Sequence, residues 1–562
     1  MTAHERSAAS NVSEVPGRTL DTAHMFPELA PELIARLARV ARERLVADGD
    51  AVWDEGATNI PFFVVQEGAI AILAGCPERV VVVHTPGGFT GDVDMLSGRR
   101  ASVHARAQGA TRLLEIERSR LRELVRTDVE LGEVLLRAFI LRRVALVESG
   151  QADIVFVGSR QAAGTLRLQD FLNRNGRPYI SLDAEREPSV QALLDHFHLD
   201  ASDLPVVICW GTNVLKRPTI EELAECLGLS SLDDGPVRDL VVVGAGPAGL
   251  AAAVYAASEG LDTVVLEGYA PGGQAGSSSR IENYLGFPMG ISGSELAGRA
   301  FVQAEKFGAS IAVARTAARL DCDSRPYRIR MASGTSVSTR AIVIATGAEY
   351  RRPICAEAVR FEGAGFYYAA TPLEGKLCEG EEIIVVGGGN SAGQAAVFFA
   401  GTTKRVYVLV RGPGLAESMS QYLIRRIEET PNIELRTRTE IVALEGENHL
   451  ERVTWIDKAE DRKTTLNIRH VFWMTGASPN TSWLEGCVAL DEKGFVKTGT
   501  DLTTHDLEAA QWPLVRPPFL FETSQPGVFA VGDVRAKSVK RVAAAVGEGS
   551  VCVQLVHKVL AE

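Results

Sequence analysis

The sequence predicts a multidomain protein of mixed architecture, with α+β folds in its N-terminal part and α/β folds in its C-terminal part. Its length of 562 residues is enough for several domains. Residues 51–116 contain short β-forming segments separated by turns. Two later stretches, 239–274 and 382–412, each have an apolar strand, a glycine-rich turn, a helix of small residues and a second strand. That order is typical of a parallel α/β unit.

Composition excludes several classes of function. A net charge of −12 and a pI near 5.5 argue against non-specific binding to nucleic acid or to an anionic membrane. No run of about 18 apolar residues occurs, and the first residues lack the pattern of a secretory signal. The eight cysteines are scattered, without a CxxC pair or a zinc pattern. We therefore expect a cytoplasmic protein without a metal site, with a disordered tail at 1–22.

The stretch from Asp239 to Gln274 carries the clearest chemistry. Its first strand ends at Gly244, which permits a tight turn, and Gly246 lets the backbone approach a pyrophosphate. Gly249 lets the helix pack close to the strand, and the helix N-terminus offers free N–H groups to phosphates. The second strand ends on Glu267, whose carboxylate can accept hydrogen bonds from a ribose. The stretch therefore predicts a dinucleotide site.

A second glycine turn, Gly387-Gly388-Gly389-Asn390-Ser391-Ala392, repeats this plan, with Ala392 in the packing place of the third glycine. The strand after its helix ends on Arg411 and not on an acid. An acid there would bind the ribose hydroxyls of NADH and repel a 2′-phosphate, whereas an arginine attracts that phosphate. The second turn is therefore predicted to bind NADPH in preference to NADH.

Residues 23–150 resemble the cyclic-nucleotide-binding fold, a small β-roll flanked by helices. Helical periodicity covers 31–47 and 119–148, on either side of the β-forming middle. No helix-turn-helix follows, so DNA binding is not expected.

The phosphate cassette of that family matches the segment from Gly91 to Ala101. The resemblance implies that helix N–H groups and Arg100 hold a cyclic phosphate, while Asp92 holds a ribose hydroxyl. The segment departs from the family because Asp92 replaces the usual glutamate and Asp94 adds an acid. Two interpretations stay open: a cyclic nucleotide binds here, or the fold is kept for packing or dimerisation with an inactive pocket.

Residues 151–230 resemble a thioredoxin or glutaredoxin domain without its active-site cysteines. Leu204-Pro205 precedes a strand where that family has a cis proline, but the family's CxxC position falls in 158–164, which contains no cysteine. Without a thiolate, disulfide exchange has no nucleophile. Cys209 lies in an apolar strand and is interpreted as a core residue. The resemblance implies a docking or architectural module, followed by a linker at 231–238.

From Asp239 onward the sequence resembles the low-molecular-weight thioredoxin reductases, a family of flavoproteins. The resemblance rests on both glycine turns and on the segments 281–288, 345–348 and 526–533. It implies an FAD-binding domain formed by 239–350 and 481–562, with an NAD(P)-binding domain at 351–480. The FAD contacts it implies are Gly244, Gly246, Pro247, Ala248, Gly249, Glu267, Gly273, Gln274, Asn283, Thr346, Gly347, Gly532, Asp533, Arg541 and Val542. The NADPH contacts it implies are Gly387, Gly389, Asn390, Ser391, Ala392, Arg411 and Gly476.

Two positions depart from that family. Arg541 stands where the family usually has glutamine, and a cation there would favour the anionic reduced flavin. The family's CxxC falls on Ala369 and Pro372, so no dithiol can relay electrons from the flavin. Cys378, six residues later, is interpreted as a packed cysteine.

These observations predict an NADPH-dependent FAD oxidoreductase whose flavin passes electrons directly to an unidentified acceptor, a small molecule or a redox protein. By resemblance we expect a homodimer. One alternative is a thioredoxin-disulfide reductase that uses distant cysteines, such as Cys378 with Cys209 or Cys355. Another is a non-catalytic flavin redox sensor, with the N-terminal module as its input or output.

Overall fold

The computed structural model describes residues 22–562 except 55, 58, 75–78, 92–94, 96–100, 102, 149–153, 160–161, 185–189, 191–193, 196, 210–212, 233–234, 279, 352, 354–355, 369, 371, 417–418 and 448. The predicted disordered tail therefore falls outside the description, except that Thr22 begins a short helix. The chain divides into two compact units, the first formed by 1–160, 175–232 and 305–310, the second by 161–174, 233–304 and 311–562. No described helix has the length and apolar character needed to cross a membrane.

The N-terminal part of the first unit is a five-stranded antiparallel sheet with helices before and after it. Its elements are α1 Thr22–Met25, α2 Pro31–Ala38, β1 Arg42–Val46, β2 Ala51–Trp53, β3 Phe62–Ala74, β4 Arg79–His84, β5 His104–Ile116, α3 Arg118–Thr127 and α4 Val129–Glu148. The strand order is β1-β5-β3-β4, with β2 also paired to β5. Alternate side chains such as Phe63, Val65 and Leu113 form its buried core, as the two-residue period of a strand requires.

Two predicted helices of this part are wrong in extent. The helix predicted over 31–47 ends at Ala38, because Arg42–Val46 pairs with β5 as an edge strand. Tertiary pairing here outweighs a weak helical pattern. The helix predicted over 119–148 breaks at Asp128, which is extended and accepts a hydrogen bond from the backbone N–H of Leu131. The break follows from the competition of an aspartate side chain with helical hydrogen bonding.

The cassette residues Asp92 and Arg100 lie outside the described residues, so their nucleotide contacts stay predictions. Just before the cassette, Arg142 of α4 donates to the carbonyl oxygens of Phe89 (3.1 Å) and Gly91 (2.9 Å). Burial, helped by the charge of Arg142, lowers the pKa of His84 to about 3, so this histidine is neutral. A buried arginine thus fixes the backbone that leads into the cassette.

The next segment contains β6 Ile154–Gly158, α5 Ala163–Arg174, β7 Ile180–Asp183, β8 Val206–Cys209, β9 Asn213–Lys216 and α6 Ile220–Cys226. The strands form a sheet in the order β7-β6-β8-β9, in which only β6 and β7 are parallel. The Leu204–Pro205 peptide bond is cis. The strands belong to the first unit and α5 to the second. A hydrogen bond with Cys226, together with burial, raises the pKa of Cys209, which disfavours its reactive thiolate form.

The second unit contains a seven-stranded sheet around the first glycine turn. Its first elements are β10 Arg238–Val243, α7 Pro247–Ser258, β11 Thr263–Glu267, α8 Gly273–Gly276, α9 Gly293–Phe307, β12 Ser310–Val313, β13 Ala317–Asp321, β14 Tyr327–Met331, β15 Ser336–Ile344 and β16 Ala348–Tyr350. The order is β12-β11-β10-β15-β14-β13. The strand β10 lies between β11 and β15 and is parallel to both. Its continuous run of valines is typical of a strand covered on both faces.

A second parallel sheet surrounds the second glycine turn. The elements are α10 Ala356–Arg360, β17 Phe366–Tyr367, α11 Pro372–Leu377, β18 Glu382–Val386, α12 Asn390–Ala400, β19 Arg405–Val410, α13 Gln421–Glu429, β20 Ile433–Thr437, β21 Thr439–Glu445, β22 Arg452–Asp457, β23 Arg462–Leu466, β24 His470–Trp473 and β25 Ala477–Pro479. The parallel order is β17-β24-β18-β19-β20, while β21, β22 and β23 form a separate antiparallel sheet.

The chain then returns to the first sheet through α14 Thr504–Ala509, β26 Val528–Ala530 and α15 Val542–Ala561. Short 3-10 helices cover Ala201–Asp203, Ser482–Leu484, Gly499–Asp501 and Gly532–Val534. The strand β26 runs parallel to β15 and is the seventh strand of that sheet. The outgoing and returning crossings also pair, since β16 is antiparallel to β25. The second parallel sheet is thus an insertion between two parts of the first.

One pairing of cysteines was not predicted from the sequence. Cys322 and Cys487 form a disulfide across 165 residues of chain, although neither belongs to a recognisable motif. Sequence patterns detect only cysteines that are close along the chain, whereas this pair meets through folding. Cys378 lies in the buried core of the second parallel sheet, where burial raises its pKa. Its interpretation as a packed residue agrees with that position.

A buried carboxylate holds the turn that comes before strand β26. Glu522 is fully buried, and its oxygens accept hydrogen bonds from the backbone N–H groups of Phe519 and Gly527, both at 2.9 Å. Arg516 donates two further bonds to it, at 2.7 and 3.2 Å, and also pairs with Glu562. The pair therefore holds the turn immediately before β26.

Replacing Arg516 should destabilise the second unit, because it leaves the buried Glu522 without its cation. We expect Arg516→Gln to lower the free energy of unfolding by roughly 3 kcal/mol, the usual cost of breaking a buried ion pair. Thermal unfolding followed by circular dichroism measures the change. The matched control is Arg299→Gln, which breaks the exposed Arg299–Glu295 pair and should change stability by less than about 1 kcal/mol. Equal midpoints for the two variants would contradict this account.

Candidate functional site

The first glycine turn is shaped by backbone contacts that leave no room for side chains. Gly244 has a φ of +105°, and a Cβ there would lie 2.4 Å from the carbonyl oxygen of Ala345. A Cβ on Gly249 would lie 1.9 Å from the carbonyl oxygen of Gly244. Real Cβ atoms do not approach backbone so closely, so helix α7 packs directly on the turn. Gly249 therefore has the packing role that the sequence predicted for it.

Glu267 closes the same turn from the end of β11. Its carboxylate accepts hydrogen bonds from the backbone N–H groups of Ala245 (2.7 Å), Tyr269 (2.8 Å) and Ala270 (3.2 Å). Burial raises the pKa of Glu267, and these hydrogen bonds oppose that shift. Because a carboxylate has about four lone-pair sites, capacity remains for a ribose hydroxyl.

The segment 526–533 lies against the start of helix α7, since a Cβ on Gly532 would lie 2.9 Å from the Cβ of Ala248. It is held by a residue that the sequence did not reveal. Glu548 of α15 accepts a hydrogen bond from the backbone N–H of Gly532 at 2.7 Å and binds Arg535 through both of its oxygens. Lys540 donates to the carbonyl oxygen of Asp533 at 2.8 Å. Burial raises the pKa of Asp533 and lowers the pKa of Lys540. Asp533 is half-buried, whereas the Lys540 side chain remains exposed.

The two crossings between the sheets are joined by side chains. The hydroxyl of Thr346 donates to the carbonyl oxygen of Asn480 at 2.8 Å, and the Asn480 amide donates to the Thr346 carbonyl oxygen at 3.0 Å. Farther away, Arg426 of α13 forms an ion pair with Glu282 at 2.7 Å. These contacts connect the second parallel sheet to the first.

The second glycine turn is packed as closely as the first, with Ala392 in the place of the third glycine. A Cβ on Gly387 would lie 2.5 Å from the carbonyl oxygen of Met474 and 3.2 Å from the Cβ of Ala392. The side-chain oxygen of Asn390 accepts a hydrogen bond from the backbone N–H of Ser420 at 2.7 Å. Arg411 is exposed immediately after β19.

Residues of both glycine turns line one cavity of about 910 Å³. The predicted FAD residues that line it are Gly244, Gly246, Pro247, Ala248, Glu267, Gly273, Gln274, Asn283, Thr346, Gly347, Asp533, Arg541 and Val542. The predicted NADPH residues that line it are Asn390 and Ser391. Predicted residues that do not line it are Gly249, Gly532, Gly387, Gly389, Ala392, Arg411 and Gly476.

The segment in which the sequence lacks a dithiol also reaches this cavity. Tyr368 and Ala370 line it, and Tyr368 donates a hydrogen bond to Glu362 at 2.7 Å. Ala369 lies outside the described residues, and Pro372 begins helix α11. The neighbours of Ala369 are thus beside the cavity that both turns share.

Several cavity residues were missed by reasoning from the sequence. Tyr284 and Lys540 are next to predicted positions and could have been found from their motifs. Gln394, Ser420 and Tyr422 line the side of the second turn without a motif of their own. Arg174 comes from helix α5, far from every glycine turn along the chain, and no local signal predicted it.

Comparison with known proteins agrees with this geometry. Residues 238–549, more than half of the chain, match the model of the pyridine nucleotide-disulphide oxidoreductase family, and residues 43–128 match that of the cyclic nucleotide-binding domain. The thioredoxin reductase of Ureaplasma parvum is 33% identical over 316 residues, which are 56% of this chain and 94% of that protein. The thioredoxin reductase of Bacillus subtilis is 30% identical over 332 residues, 59% of this chain and 97% of that protein.

A solved structure supports the same fold. The crystal structure of Lactococcus lactis thioredoxin reductase in its FR conformation superposes with a TM-score of 0.51 at 26% identity, covering 58% of this chain and 99% of that one. The predicted fold class and family are therefore confirmed. The chain belongs to the pyridine nucleotide-disulphide oxidoreductase family, is similar to its thioredoxin reductases, which use FAD and NADPH, and carries a cyclic nucleotide-binding domain ahead of that half.

Proposed function

We propose that this chain is an NADPH-dependent FAD oxidoreductase of the thioredoxin-reductase type that lacks the redox dithiol and passes electrons from the flavin directly to an acceptor. The observation that carries the proposal is that residues of both glycine turns, together with Tyr368 and Ala370, line one cavity. No cysteine is among the described residues that line it. Direct transfer of electrons from the flavin to an acceptor needs no thiol in this cavity.

The cavity fits a flavin dinucleotide. Its volume lies toward the upper end of the range of ligand pockets, roughly 300–1,000 Å³. The N-terminus of α7 offers N–H groups to a pyrophosphate, and a Cβ on Gly246 would approach only the Gly273 backbone, at 3.9 Å. Glu267 and Asp533 supply carboxylates for ribose and ribityl hydroxyls. When bound, FAD would supply the two-electron chemistry that no side chain of this cavity provides.

The contribution of the protein is then binding, orientation and exclusion of water. Arg541 precedes α15 as its N-cap residue and lines the cavity. Its guanidinium and the positive end of the helix act in the same direction and would stabilise negative charge on a reduced flavin. Asn390 and Ser391 would hold the nicotinamide nucleotide on the facing side.

Arg411 supports the preference for NADPH. It follows the last residue of β19, at the carboxyl edge of a parallel sheet, where dinucleotides bind in such folds. Its exposed guanidinium is available for a 2′-phosphate. The remaining predicted residues of this site, Gly387, Gly389, Ala392 and Gly476, act through the backbone shape that they allow.

The N-terminal part is proposed to regulate the enzyme or to recruit its acceptor. The family match over residues 43–128 supports a cyclic nucleotide as ligand, with Asp92 and Arg100 as its proposed contacts. The strand order of the 151–230 segment supports its interpretation as a thioredoxin-like module without active-site cysteines. A homodimer in the cytoplasm remains part of the proposal, as does an acceptor that is either a small molecule or a redox protein.

A second candidate function keeps disulfide chemistry, and the Cys322–Cys487 disulfide favours it. The pairings considered from the sequence have less support, since Cys378 is packed in a core and Cys355 lies outside the described residues. Neither Cys322 nor Cys487 lines the cavity, which favours the direct route. A reductive titration distinguishes the two.

Anaerobic titration of the purified flavoprotein should need one NADPH per FAD for complete bleaching of the visible flavin bands. Each NADPH carries two electrons, and a flavin without a coupled dithiol accepts two. The Cys322→Ser/Cys487→Ser double variant is the matched control and should give the same stoichiometry. Two equivalents in the parent and one in the double variant would establish the disulfide route instead. Bleaching too slow for turnover would favour the redox-sensor hypothesis.

The nucleotide preference should depend on Arg411. We expect Arg411→Ala to reduce the ratio of NADPH affinity to NADH affinity by about 10- to 100-fold, because one charge-assisted bond to the 2′-phosphate is lost. Rapid-mixing measurements of flavin bleaching against nucleotide concentration give both affinities. Arg405→Ala, at the other end of β19, should leave the ratio unchanged. A preserved ratio in Arg411→Ala would remove this residue from the site.

The flavin potential should depend on Arg541. Arg541→Gln removes a cation from the cavity, so we expect a more negative midpoint potential for the bound flavin. Spectroscopic redox titration against a reference dye measures it. Lys537→Gln, which removes an exposed cation that does not line the cavity, is the control and should leave the potential unchanged. A potential that is unchanged in Arg541→Gln would contradict the proposed contact with the flavin.

A further inference from the structure

Arg174 reaches the proposed cofactor cavity from outside the part of the chain that matches the oxidoreductase family. It is the last residue of helix α5 and lines the cavity, whereas the family match begins at residue 238. Its Nη2 donates a hydrogen bond to the carbonyl oxygen of Gly273 at 2.7 Å. A Cβ on Gly273 would in turn lie 3.1 Å from the Cα of Gly246. The guanidinium is therefore close to the turn at which the backbone approaches a pyrophosphate.

Tyr269 fixes the helix that carries this arginine. Its hydroxyl lies 2.9 Å from the Asp170 carboxylate and 3.0 Å from the carbonyl oxygen of Arg167. Its ring packs edge-on against Phe171, with the ring centres 5.6 Å apart. The guanidinium carbon of Arg174 lies 5.4 Å from the centre of the same ring. Hydrogen bonds and ring contacts thus hold Arg174 in place before any ligand binds.

The guanidinium keeps donors that the protein does not use. A guanidinium has five N–H donors in a rigid fork. In Arg174 the Nε–H is buried and has no acceptor among the described residues. Its charge is also close enough to Glu267 to lower the pKa of that carboxyl, against the larger effect of burial. A cation with unused donors therefore lies beside the first glycine turn and the acid that closes it.

We propose that Arg174 binds the pyrophosphate of FAD, so that a residue of the 151–230 segment completes the cofactor site. The inference rests on the proposed function, because it requires FAD in the cavity. Arginine suits this task, since its planar fork can donate two parallel hydrogen bonds to phosphate oxygens. The thioredoxin-like segment would then retain the cofactor in addition to any role in docking.

The test uses the full-length protein after removal of its flavin. Titrations with FAD and riboflavin are followed by flavin fluorescence, and titrations with ADP by calorimetry. Arg174→Gln should weaken binding of FAD and of ADP by about 10- to 100-fold, the value of one charge-assisted hydrogen bond. Riboflavin has no phosphate, so its affinity should stay within about twofold. The salt dependence of FAD binding should also be smaller in the variant, because one ionic contact is lost.

Two further variants separate the contact from a general disturbance. Arg167→Gln removes an exposed arginine from the same helix and should bind FAD like the parent. Arg174→Lys keeps the charge without the fork, so its FAD affinity should lie between those of the parent and of Arg174→Gln. If Arg174→Gln does not fold, Arg174→Lys carries the same comparison of FAD with riboflavin.

Several results would overturn the inference. FAD binding by Arg174→Gln within about twofold of the parent would remove Arg174 from the site and leave the proposed function intact. Equal losses for FAD and riboflavin, or the same loss in Arg167→Gln, would indicate a structural disturbance and not a phosphate contact. Failure of the parent itself to bind FAD would instead contradict the proposed function, and this inference with it.

Discussion

Direct backbone contact around Gly244 is the constraint on which the site depends. A Cβ on Gly249 would lie 1.9 Å from the carbonyl oxygen of Gly244, and one on Gly549 would lie 2.1 Å from the carbonyl oxygen of Ala248. Helix α7 is therefore held between the turn and helix α15 at distances that only glycines allow. Because of this packing, the N-terminal ends of both helices reach the same cavity. Two positive helix ends then face the place proposed for a dianionic cofactor.

The second turn faces that cavity because a few contacts hold the inserted sheet in place. The paired crossings β16 and β25, with the reciprocal bonds between Thr346 and Asn480, connect the sheets covalently and by hydrogen bonds. The Arg426–Glu282 pair adds a contact away from the crossings. Both of its side chains are partly exposed, and such pairs contribute less than about 1 kcal/mol. A rotation of the inserted sheet about its crossings would therefore lose little energy at that pair.

The electrostatic character of the cavity differs from that of the whole chain. The chain carries a net charge of −12, whereas the described residues that line the cavity include three cations, Arg174, Lys540 and Arg541, and three carboxylates, Glu267, Glu349 and Asp533. Asp533 is half-buried and burial raises its pKa, so it gains from hydrogen bonds or from a partner of opposite charge. Cations near phosphates and carboxylates near hydroxyls are the arrangement expected for a dinucleotide.

The sequence by itself determined both glycine turns and most of the residues that line the cavity beside the first turn. It did so because each turn depends on residues only a few positions apart, whose backbone requirements are local. Tertiary structure alone decided the features that join distant residues: Arg174 meets Gly273 across 99 positions, and Cys322 meets Cys487 across 165. It also decided that the end of a predicted helix forms strand β1, because pairing with β5 supplies the hydrogen bonds of that backbone. Such contacts depend on how elements pack, and no short pattern in the sequence records that packing.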